Sequence, residues 1–97
     1  MTDEFTLRKD AERGQRAKRL LEDELLIEAF SGLEAAYIQA WKDTHAGNTE
    51  GREKLYLAIK VLPAVRANLD SIASSGYLAE HELTMLAEEA ARKRRHA

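Results

Sequence analysis

The stretch Lys54–Leu69, "KLYLAIKVLPAVRANL", decides the fold. Leu55, Ala58, Ile59, Leu62, Val65 and Leu69 recur every three or four residues, and Ile72 prolongs the row. That spacing is the period of an α-helix with one apolar face. The only proline of the chain, Pro63, stands inside the row. It removes one backbone donor and crowds the carbonyl four residues earlier, that of Ile59, at a cost of about 3 kcal/mol in an isolated helix. The stripe crosses Pro63 without a change of phase. Burial of large side chains on both sides, at roughly 1.5–3 kcal/mol each, outweighs that cost. A true break after Leu62 would make leucine an N-cap, a poor one. The stretch therefore reads as one bent helix from about Glu50 to Ser75, with Gly76 as a left-handed stop that Tyr77 or Leu78 covers.

Working back toward the N-terminus, "THAGNTEG" (Thr44 to Gly51) is a short turn in which Thr49 is the expected N-cap. Before it, Leu26, Phe30, Leu33, Tyr37 and Trp41 follow at spacings of four, three, four and four. Ile27, Ile38 and Ala40 widen this second stripe, which carries three of the six aromatic residues. A short turn between two such helices predicts an antiparallel return. The segment 6–22 is basic and holds few large apolar groups before Leu20. Gly14 weakens it by roughly 1 kcal/mol relative to alanine. It is expected to fray or to dock on a partner, with a Glu12–Arg16 pair along its surface. Glu22, Asp23 and Glu24 mark a break before the next helix, since carboxylates favour the first turn. Toward the C-terminus, Leu83, Leu86, Ala87 and Ala90 describe a short amphipathic helix over 79–95.

The expectation is thus one all-α domain over residues 1–97. It comprises a basic N-terminal helical extension (1–22), an antiparallel helical hairpin (24–75) and a short C-terminal helix with a basic tail (79–95). The hairpin core would be Leu26, Phe30, Leu33, Tyr37, Trp41, Leu55, Ile59, Leu62, Val65, Leu69 and Ile72. Two helices cannot surround their own apolar residues, and Tyr37, Ile38, Tyr56, Leu57 and Val61 lie on the stripe margins. Small domains with thin cores often gain stability by self-association. A homo-oligomer is therefore expected, the rival being a compact three-helix monomer.

Composition excludes several classes. Charged residues make up 33% of the chain and apolar ones 44%, which suits neither disorder nor a membrane protein. Apolar runs stop at five residues, Leu55 to Ile59, far short of the about twenty that a membrane span needs. The chain lacks cysteine, so it has no disulfide framework and no thiolate metal site; a reducing cytoplasm is the setting expected. His45, His81 and His96 are scattered, and no Gly-rich phosphate loop or nucleophile motif occurs. No catalytic residue, metal site or cofactor is expected.

The net charge of −2 hides an asymmetry: residues 20–91 carry thirteen acidic and five basic side chains, while Arg92–Arg95 is wholly basic. Arg8, Lys9, Arg13, Arg16, Lys18 and Arg19 at one end, and Arg92, Lys93, Arg94 and Arg95 at the other, are candidate contacts to a polyanion or a protein partner. Solvated helix ends, or attraction between copies, would explain the same charges. Aromatic side chains for stacking on single strands do not interleave them.

The segments "RGQRAKRLLEDELLIEAFSGLEAAYIQAWKDT" and "GREKLYLAIKVLPAVRANLDSIASSGYLA", over about residues 13–79, resemble short helical proteins of tailed phages and prophages found among packaging and head genes. The likeness lies in "RAKRLL", the "EAF…L…YI.AW" stripe, "GREKL" and "VR..L". The hairpin also resembles the oligomerisation domain of small terminase subunits, non-enzymatic ring proteins that bind viral DNA and hand it to the packaging motor. The resemblance implies that residues 26–41 and 55–72 build the ring walls. The basic ends would then meet DNA, without sequence preference, or the large terminase subunit. The chain departs from that family in one respect, since the residues before Asp23 are too few for a helix-turn-helix domain. The rival function is a small helical adaptor or regulator that binds a protein and no nucleic acid.

Overall fold

The computed structural model describes residues 3–96. Met1 and Thr2, part of the expected basic extension, and Ala97 lie outside them. Among the described residues the fold is all-α, with helices α1 (Glu4–Glu22), α2 (Glu24–Asp43) and α3 (Thr49–Arg95).

Each helix start has a local cause. The Asp3 carboxylate accepts from the Thr6 N–H at 2.8 Å and from its hydroxyl at 3.0 Å. Asp23, the one non-helical residue between α1 and α2, accepts at Oδ1 from the Leu26 N–H at 3.0 Å. The acidic triplet Glu22–Asp23–Glu24 therefore breaks the helix through its middle residue, acting as a cap. At α3 the expected cap is displaced by one position. Asn48, not Thr49, caps the helix, its Oδ1 accepting from the Gly51 N–H at 3.0 Å. Thr49 is already helical.

α3 is continuous through Pro63, which is exposed. It is also continuous through Gly76, and there the sequence expectation fails. No glycine in the described chain has a positive φ, so Gly76 is no left-handed stop, and the separate helix expected over 79–95 is the end of α3. The reason is packing. A Cβ on Gly76 would lie 2.5 Å from the Cα of Gly14 and 2.8 Å from the Asp10 carbonyl oxygen. Glycine at both positions lets α1 and α3 meet backbone to backbone.

The chain divides into two compact units, Met1–Arg19 with Leu69–Ala97, and Leu20–Asn68. In the first, α1 runs antiparallel to the end of α3. Gly14 faces Gly76, Gln15 donates to Glu80, and Glu4 and Arg8 border Leu83 to Ala90. Leu7, Gly14, Ala17, Gly76 and Ala79 are buried there. The segment expected to fray or to dock on a partner thus docks on α3 of its own chain and contributes three of these five buried residues. In the second unit, α2 lies beside the start of α3, with Trp41 against Arg52 and Phe30 against Arg66. Among its described residues none is fully buried.

Candidate functional site

The second unit leaves its apolar side chains half covered. Leu26, Phe30, Tyr37 and Trp41 of α2, and Leu55, Ile59 and Leu62 of α3, are half-buried. Leu33 and Val65, expected in the same core, are 45% and 43% exposed. Leu69 and Ile72 are half-buried but fall in the first unit. Off the stripes, Leu25 is 73%, Leu57 53% and Val61 55% exposed, and Tyr56, with Ile27 at the edge of the α2 stripe, is nearly as open. Of the margin residues singled out from the sequence, Tyr37 and Ile38 are half-covered, while Tyr56, Leu57 and Val61 are open.

Three cations roof three of the four aromatic rings of this unit. The Arg52 guanidinium stands 4.6 Å from the centre of the Trp41 ring, and that of Arg66 5.7 Å from the Phe30 ring. Lys60 lies 5.6 Å from the Tyr56 ring, one turn away on the same helix. The negative face of an aromatic ring attracts a cation, by about 0.5–1 kcal/mol at exposed sites. In the sequence Arg52 and Arg66 stand out only as parts of "GREKL" and "VR..L". An antiparallel register that sets Trp41 against Arg52 brings Phe30 close to Arg66, so the pairing was open to inference once a register was assumed.

The basic candidates Arg8, Lys9, Arg13, Arg16, Lys18, Arg19 and Arg92–Arg95 are all exposed. Both groups belong to the first unit, although they lie at opposite ends of the chain. Arg8 is held by Glu4 at 2.7 Å and Lys93 by Glu89 at 3.5 Å, each an exposed pair one turn apart. Such pairs contribute a few tenths of a kcal/mol. The Glu12–Arg16 pair expected from spacing is not formed; Arg8–Glu4 takes that role nearer the helix start. By composition the first unit carries ten basic and nine acidic side chains, net +1, against five and eight in the second, net −3. The fold therefore sorts the charge that the sequence spreads over both ends.

Two concavities lie within the first unit. One, of about 180 Å³, is lined by Asp10, Arg13, Ser71, Ile72 and Ser75. It is smaller than the roughly 300–1,000 Å³ of typical small-molecule pockets. The other is an apolar groove over Leu83, Leu86, Ala87 and Ala90 beside the Glu4–Arg8 pair. His45, His81 and His96 are exposed. Among the described residues no three His, Asp or Glu side chains converge as metal ligands. Asp3 has its carboxyl pulled below its ordinary range, chiefly by the Thr6 amide and then by the Thr6 hydroxyl. No helix of the described residues is long and apolar enough to cross a membrane. What the arrangement offers is surface: an open apolar face on one unit and, on the other, ten exposed cations among nine acidic side chains. No protein-family model matches this chain, and no curated protein or solved structure is significantly similar to it.

Proposed function

We propose that the chain is a non-enzymatic assembly factor of the phage DNA-packaging type, resembling a small terminase subunit. It self-associates through the helical hairpin formed by α2 and the start of α3. The observation that carries this reading is the second unit itself. It holds Phe30, Tyr37 and Trp41 yet buries no residue fully, and it leaves Leu25, Leu57 and Val61 more than half exposed. Apolar area removed from water stabilises association by about 25 cal/mol per Å² before ordering costs. The phage setting rests on the sequence resemblance over residues 13–79. The exposed cations of the first unit then contact DNA or the large terminase subunit in the host cytoplasm.

Light scattering on the full chain tests the assembly. A discrete oligomer is expected, and the double substitution Leu57→Glu with Val61→Glu should reduce it to smaller species while helicity persists. A monomer at every concentration ends the proposal. For nucleic acid, replacing Arg92–Arg95 by glutamine should abolish a DNA mobility shift that is already steeply salt-dependent.

One observation favours the adaptor reading. The second unit carries a net charge of −3, and like charges oppose the stacking of identical faces. A basic amphipathic helix from another protein would meet no such repulsion. A monodisperse monomer that binds such a helix with no DNA shift selects that reading.

A further inference from the structure

α3 has a second unpartnered face, within the first unit and opposite its contact with α1. Asp70, Ser74, Tyr77, His81, Met85, Glu88 and Arg92 follow at spacings of four, three, four, four, three and four. At 100° per residue they fall within about 40° of one line on the helix. Ile72, Gly76 and Ala79, on the α1 side, point the other way. All seven are exposed, and Tyr77 and Met85 are 71% and 56% accessible, with Leu78 at 66% beside them.

The row is symmetric about His81, and its chemistry is complementary about that point. Folding the row back on itself sets Asp70 against Arg92, an acid against a base. Ser74 meets Glu88, a hydroxyl donor against a carboxylate. Tyr77 meets Met85, a ring against a thioether, a favourable contact for both. A parallel pairing would instead set Asp70 on Asp70, Glu88 on Glu88 and Arg92 on Arg92, which is repulsive at all three charged positions. We propose that a second copy of this chain docks antiparallel on this face, with the twofold axis at His81. The inference rests on the reading that the chain self-associates, but it names a surface different from the open face of the second unit. A chain with two distinct self-complementary faces builds beyond a dimer.

The chain has no cysteine, so single-cysteine variants report directly. Under mild oxidation His81→Cys should form a disulfide-linked dimer within minutes, while the exposed control Lys18→Cys should lag at least tenfold. A mixture of Tyr77→Cys and Met85→Cys should cross-link faster than either alone. Asp70→Arg or Arg92→Asp should each weaken the pairing about three- to tenfold, and the two together should restore it. If His81→Cys cross-links no faster than the control while the wild type remains an oligomer, this face is not an interface and assembly through the second unit stands. If Tyr77→Cys cross-links with itself faster than with Met85→Cys, the antiparallel register is wrong. If Leu57→Glu with Val61→Glu lowers the mass but leaves the His81→Cys cross-link, the two faces act separately, as proposed. A wild type that stays monomeric, together with a His81→Cys variant that cross-links no faster than Lys18→Cys, ends both readings.

Discussion

The two units of this protein solve the same problem in opposite ways. In Met1–Arg19 with Leu69–Ala97, α1 and α3 approach until backbones touch, and the buried residues are small: Gly14, Ala17, Gly76 and Ala79, with Leu7 as the one large side chain. In Leu20–Asn68 the helices carry Trp41, Phe30, Tyr37 and a row of leucines, yet nothing is fully buried. Large side chains hold helices apart and need neighbours on several sides. Small ones allow a close approach that excludes water with little volume. The unit richer in apolar mass is therefore the one left open.

The largest effect that could sharpen this contrast is at Pro63. It stands exposed inside α3, in the open unit. Pro63→Ala restores a backbone donor for the Ile59 carbonyl and should raise stability by about 2–3 kcal/mol in urea unfolding. A loss of stability would show that the second unit needs the proline's geometry.

Next is the glycine contact. Gly76→Ala gains helix propensity, but its Cβ would meet the Gly14 backbone at 2.5 Å. Backbone cannot yield as a flexible side chain can, so a net loss of about 1–3 kcal/mol is expected. Proteolysis in α1 should rise with it. A neutral Gly76→Ala would break the comparison, since the close approach would then contribute nothing.

Gly32→Ala is the matching control in the open unit. Nothing lies within 4 Å of a Cβ there, so the same change should stabilise by about 0.5–1 kcal/mol. Opposite signs at positions 76 and 32, read by thermal unfolding, would confirm that one unit is closed and the other open.

The smallest effect is at Asp3. Its carboxyl is held below the ordinary 3.8 by the Thr6 amide and hydroxyl. A depressed value in the folded state stabilises the start of α1 above that pH, and the contribution fades as pH falls through the folded value. The Thr6 amide should therefore lose hydrogen-exchange protection in acid below about pH 4, and Asp3→Asn should remove that dependence.

Much of the fold was legible because its causes are local. The period of three and four across Pro63 identified α3, and the acidic triplet marked the gap at Asp23. The turn around Gly47 and Asn48 is legible too, and the cap expected at Thr49 falls one residue earlier because Asn48 and Thr49 both have capping side chains. The buried contact was not legible. Gly14 read as a weakness and Gly76 as a stop, which is what each is in isolation. The candidate surfaces were legible in part. Tyr56, Leu57 and Val61 were marked as marginal and are open, and the cations at both ends are exposed. Their gathering into one unit depends on α1 meeting the far end of α3, over sixty residues away in the chain.

The sequence alone determined that this protein is helical and which side chains share a face, because both follow from spacing along one chain. Three Gly-x-x-Ala steps occur in it, at Gly14–Ala17, Gly32–Ala35 and Gly76–Ala79. Only the tertiary structure decided that the first and third meet while, among the described residues, no other element approaches Gly32. Helix contact is set by which surfaces arrive together, and a local pattern repeated three times holds no record of its partner.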